Sequence, residues 1–137
     1  MATNLGERIA GEHPDSRGSI SIGPDGRVYS AVRIDNKTGF GSGYLHHLVR
    51  HDPATRAKDD LGVLAVKNPD FFNFAAGRTK NADGTERPIH GYHTLHDGTL
   101  TPLHVIMAMI VTHDGTIYAT TIYPFTLLKV ETAKAVR

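Results

Sequence analysis

Nine histidines stand among 137 residues, beside 15 lysines and arginines, 14 aspartates and glutamates, and no cysteine. Histidine's ordinary pKa of about 6.5 suits it to proton transfer at neutral pH, so their density points to acid–base chemistry. Two groups hold most of them. Tyr44-Leu45-His46-His47-Leu48-Val49-Arg50-His51 packs three histidines and an arginine into six residues. Read as a helix, it sets His47 and His51 four apart on one face and His46 with Arg50 on the adjacent face. The second group, His90, His93, His96 and His104, spreads over a strand, its turn and the next strand. Alternation there puts His90 and His96 on one face and His93 on the other. A surface or capping role is the plain alternative for any single histidine. His47 and His51 also have the spacing of a zinc pair, but there is no His-Glu-x-x-His and no acidic residue between them, and no metal site is expected.

Other chemistries drop out on residue type. Without cysteine there is no disulfide scaffold, thiolate metal centre or thiol nucleophile. The formal charge of +1 excludes the basic footprint of a protein that clamps duplex DNA by charge, so any nucleic-acid contact is local. No phosphate-cradling loop ending in Lys-Ser/Thr and no Gly-x-Ser-x-Gly elbow occurs, and Gly39-Phe40-Gly41-Ser42-Gly43 matches neither a dinucleotide fingerprint nor a P-loop. The longest apolar run, Val105 to Val111, is far short of the roughly 20 residues of a membrane helix, and the N-terminus lacks a signal-peptide apolar block. A soluble, cytoplasmic protein without membrane partners is expected.

These side chains need elements to position them. At 39% apolar and 21% charged residues, the composition is that of one folded domain. Residues 1–18 mix charge, Gly and Pro without a period and read as a flexible or loosely docked segment, leaving 19–137 as the domain. Ser19 to Ile22 and Arg27 to Ile34 flank Gly23-Pro24-Asp25-Gly26 as a hairpin. Ser42 then caps a helix from Tyr44 to about Arg50, and Asp52 caps a second over Pro53 to Asp60, stopped by Gly62. Asn68 to Phe74 reads as a capped turn and Gly77 to Pro88 as a loop. Ile89 to Leu95, Thr101 to Thr112 and Thr116 to Phe125 are strands separated by Asp97-Gly98 and Asp114-Gly115. The expected fold class is α+β, with the N-terminal hairpin and helices packed on an antiparallel sheet of about four strands.

The ordered set His47-Leu48-Val49-Arg50-His51, Asn68-Pro69-Asp70, the run Val105 to Val111, Asp114-Gly115 and Thr121-Ile122-Tyr123-Pro124 resembles the barnase–EndoU–colicin–RelE-like ribonuclease superfamily, in its phage-associated branch. The resemblance spans residues 42–125. It implies a metal-independent endoribonuclease, often a toxin, that needs no cofactor and is accompanied by an inhibitor or immunity protein. By the same resemblance His47, Arg50, His51, Thr121 and Tyr123 are the catalytic residues. The chain departs from the family in the hairpin and tail before residue 42, the extra histidines at 90–96, and the lack of a lysine in the sheet motif.

Cleavage of RNA by its own 2′-hydroxyl requires a base, an acid and a cation for the phosphorane charge, which two histidines and an arginine supply. Single-stranded or looped RNA is the expected substrate, with His46, His93 and Tyr92 contacting it and Tyr92 or Tyr123 stacking on bases. Ordinary packing across the sheet is the alternative for both tyrosines. From a different class, the same residues suit a non-catalytic binding or structural accessory module of a phage or mobile element, its histidines serving packing and surface roles.

Overall fold

The computed structural model describes residues 1–13, 20–37, 44–65, 92–94, 100–102, 106–121 and 126–130. Strands β1 (Ile20–Ile22), β2 (Val28–Asp35), β3 (Tyr44–His51) and β4 (Lys58–Val63) form one sheet in chain order. Strands β5 (Tyr92–Thr94) and β6 (Leu100–Pro102) form a pair, and β7 (Ile106–Val111), β8 (Ile117–Thr121) and β9 (Thr126–Val130) a second meander. Every neighbouring pair is antiparallel. The expected α+β fold is therefore corrected: the described residues contain no helix and consist mostly of antiparallel sheet.

The largest change falls on residues 44–51, expected as a helix and found as the interior strand β3. It pairs residue for residue with β2, from Asp35 opposite Tyr44 to Val28 opposite His51, and on its other side with β4. Leu45, Leu48 and Val49 recur at helical spacing, yet all three are buried because both faces of this strand are covered. Alternation sends Leu45 and Val49 to one face and Leu48 to the other. Differences in helix propensity amount to a few tenths of a kcal/mol per residue. Burying a large aliphatic side chain contributes roughly 1.5–3 kcal/mol, so the partners on both sides decide the element.

Local turn chemistry survives where the longer-range reading does not. Asp52 accepts from the Ala54 and Thr55 N–H groups at 2.9 and 3.3 Å, as a cap would. But Asp52 N–H then donates to the Ala57 carbonyl at 2.9 Å, closing a hairpin turn, and residues 58–60 enter β4 instead of continuing a helix. The Gly23 to Arg27 reversal is present, with Gly23 N–H donating to the Arg27 carbonyl at 2.8 Å. So is the β7–β8 hairpin about Asp114-Gly115, with Thr112 N–H donating to Thr116 at 2.8 Å. The strand expected over 101–112 holds two, β6 and β7, and β9 extends the second meander past Phe125. Ser42, Asn68 to Phe74 and Gly77 to Pro88 lie outside the described residues.

Asp114 Oδ1 accepts from the Thr112 hydroxyl at 2.5 Å and from Thr116 N–H at 3.0 Å. These bonds, the Thr112 hydroxyl first, hold its carboxyl at about 2, below its ordinary 3.8. A lowered folded-state pKa stabilises the fold above the unfolded value, and the contribution is lost as pH falls from 3.8 through about 2. Asp114→Asn should accordingly lower the melting temperature at pH 7 and flatten its fall in that acid window. An unchanged melting curve at both pH values would remove the carboxylate from the turn's stability.

Cross-strand partners share a face, which divides the first sheet cleanly. Tyr29, Ala31, Leu48 and Arg50 face the second meander, where Ala31 and Leu48 join Leu64, Ile106, Met109, Ile117 and Ala119 in one buried core. The opposite face carries Val28, Ser30, Val32, His47, Val49, His51, Lys58 and Asp60. Residues 5–8 lie on this side of the molecule. Glu12 bridges to Ile34, His13 N–H donates to Arg33 at 2.8 Å, and Lys58 Nζ donates to the Leu5 carbonyl at 3.2 Å and to that of Glu7. The segment expected to dock loosely thus reaches from the β2 edge to β4.

Candidate functional site

Strand geometry separates what helix geometry would have gathered. At about 3.3 Å per residue, His47 and His51 stand roughly 13 Å apart on one face of β3, where a helical turn would bring them to about 5–6 Å. His46 and Arg50 point through the sheet to the other face. Two histidines at that separation cannot serve as base and acid on one phosphodiester, and Arg50 is on the wrong side for either.

Three of these four side chains have local partners. His47 Nδ1 lies 2.9 Å from Asp60 Oδ2, and Asp60 is itself held by Gly62 N–H at 2.8 Å. The pairing fixes the ring and leaves Nε2 as the nitrogen for other partners. Arg50 donates through Nη2 and Nε to Asp59 Oδ2 at 2.8 and 3.1 Å. That bond, ahead of a second to Tyr29, raises the guanidinium pKa above its ordinary value. Tyr29 in turn donates to Asp25 at 2.9 Å. His46 is 2% exposed and meets the Tyr44 ring edge-on at 5.9 Å, while the Arg33 guanidinium lies 4.3 Å over that ring.

Among the other expected residues, Thr121 is 2% exposed and shares the inward face of β8 with Ile117 and Ala119. The face that carries Thr121, expected among the catalytic residues, is the core face. Tyr92 and His93 stand on β5, opposite Pro102 and Thr101. Tyr123, His90, His96 and His104 lie outside the described residues. Among the described residues no group of three or more His, Asp or Glu side chains is gathered to hold a metal ion, and no helix is long and apolar enough to cross a membrane.

The face that carries His51 also carries a groove of ≈ 170 Å³ between residues 5–8 and the sheet. Leu5, Ile20, Val28 and Val49 wall it, with His51 and Lys58 at its β3–β4 side. Neither ring nitrogen of His51 has a hydrogen-bond partner among the described residues. Beside the groove, Ile20 and Ile22 are 65% and 68% exposed. Sequence reasoning missed Asp59, Asp60 and Lys58 because it placed them on a helix. The usable signal was Asp52-Pro53 read as a hairpin turn, which sets Lys58 opposite His51 and Asp59 opposite Arg50.

No family model matches the chain, and no curated protein and no solved structure matches it.

Proposed function

We propose that this chain is a non-catalytic binding module that takes a small apolar guest in the groove between residues 5–8 and the first sheet. The carrying observation is the groove itself: ≈ 170 Å³, walled by Leu5, Ile20, Val28 and Val49. Apolar surface brought together but left uncovered gains free energy from any guest of matching shape, at about 25 cal/mol per Å² removed from water. Titration with benzene, followed by amide chemical shifts, is the direct test. Saturable shifts confined to Val28, Ser30, Val49, His51 and residues 5–8 are expected. Shifts absent or scattered over the molecule would overturn the reading.

A second reading is supported by the His47 and Asp60 pair. A histidine held at Nδ1 by a carboxylate is the arrangement of a general base, and a base acting on a ribose 2′-hydroxyl is what a metal-independent endoribonuclease requires. His51 is too distant to be its acid. Labelled single-stranded RNA incubated with the protein in excess chelator decides between the two. Intact RNA is expected. Cleavage that resists chelator and falls about 10²- to 10⁴-fold in His47→Ala would establish the ribonuclease instead.

A further inference from the structure

We infer that the groove's guest is a small aliphatic carboxylate, its tail among the apolar walls and its head at Lys58; this rests on the binding reading above. The volume sets the tail. A half-open groove of ≈ 170 Å³ has about the room of the enclosed engineered cavity of about 150 Å³ that binds benzene, so about six carbons fit. The charges set the head. An ammonium has three donors, and the carbonyls of Leu5 and Glu7 accept two from Lys58. Both acceptors are neutral, and among the described residues no carboxylate forms an ion pair with this ammonium. Arg8, the neighbouring cation, is already satisfied by Glu12. A Cβ at Gly6 would touch Lys58 Nζ, at 3.8 Å, so the bare glycine leaves that side of the ammonium uncovered.

A carboxylate therefore completes the third donor and supplies the counter-charge; a neutral hydroxyl accepts the bond but brings no charge, and an ammonium head does neither. The opposing charge at the rim is the exposed Glu7 side chain. Lys58 also ties residues 5–7 to β4, while the Glu12–Ile34 bridge and the His13–Arg33 hydrogen bond anchor the same segment at the β2 edge, so the groove's outer wall does not hang on Lys58 alone.

Hexanoate, 1-hexanol and hexylammonium, titrated at pH 7 and followed by amide chemical shifts, test this. Hexanoate should bind about tenfold more tightly than 1-hexanol, and hexylammonium more weakly than either. Lys58→Met should reduce hexanoate to the level of 1-hexanol while 1-hexanol still binds, which shows that the groove persists. Glu7→Gln should tighten hexanoate alone. Ile20→Asp, at an exposed edge position, should weaken both hexanoate and 1-hexanol. If hexanoate and 1-hexanol bind equally, or if Lys58→Met keeps the preference, the carboxylate inference is overturned while the groove reading stands. If none of the three binds and benzene is also refused, the groove reading falls with it.

Discussion

Ile117→Ala is expected to cost about 2–5 kcal/mol of folding stability, the range for deleting a large aliphatic side chain from a packed core. Ile117 is 1% exposed and stands between two cross-strand neighbours, Val111 on β7 and Val130 on β9. It also belongs to the core that joins the second meander to Ala31, Leu48 and Leu64 of the first sheet and its end. Truncation therefore removes contacts within its own sheet and across to the other. Urea titration of the wild type and of Ile117→Ala, Leu48→Ala and the double variant measures both. Residues that share a core are coupled, so the double variant should depart from additivity by about 0.5 kcal/mol or more. A single-variant loss below about 1 kcal/mol, or strict additivity, would mean that the two sheets do not pack on one another.

Gly23→Ala should cost about 1–3 kcal/mol, although it adds one methyl group, because the space is taken. An added Cβ would lie 2.7 Å from Asp25 Oδ1 and 2.8 Å from Tyr29 Cε2. Neither neighbour is free to yield. Asp25 Oδ1 accepts from Arg27 N–H at 3.1 Å, and its other oxygen holds the Tyr29 hydroxyl at 2.9 Å. Tyr29 packs against the core. Tyr29→Leu in the Gly23→Ala background should recover part of the loss, since it removes the aromatic carbon that the new methyl meets. A midpoint for Gly23→Ala equal to that of the wild type would show that the turn relaxes at no cost.

Much of the local structure was legible because its causes are local. The Pro24-Asp25-Gly26 and Asp114-Gly115 turns need only backbone preferences and a side-chain acceptor within four residues, and both hairpins form with the strands on either side. The alternation along β8 was equally plain, with Ile117, Ala119 and Thr121 on one face. Which face would be the core was not, since Thr121 and Ala119 reveal no preference until β7 and the first sheet lie against them.

By itself the sequence determined the turns at Pro24-Asp25-Gly26 and Asp114-Gly115, the face-sharing of residues in β2 and β8, the absence of thiol chemistry, and the crowding of histidines and charges at 46–60. Only the tertiary structure decided the element at 44–51 and, with it, the site. Leu45, Leu48 and Val49 satisfy an amphipathic helix and a strand buried on both faces equally well, and no contact within eight residues separates the two. β2 and β4 separate them by saturating the backbone of β3 from both sides. That pairing draws the helical i, i+4 pair His47 and His51 out along one face of the sheet, gives His47 to Asp60 and Arg50 to Asp59, and places His51 and Lys58 beside a groove closed by residues 5–8, some fifty positions away in the chain.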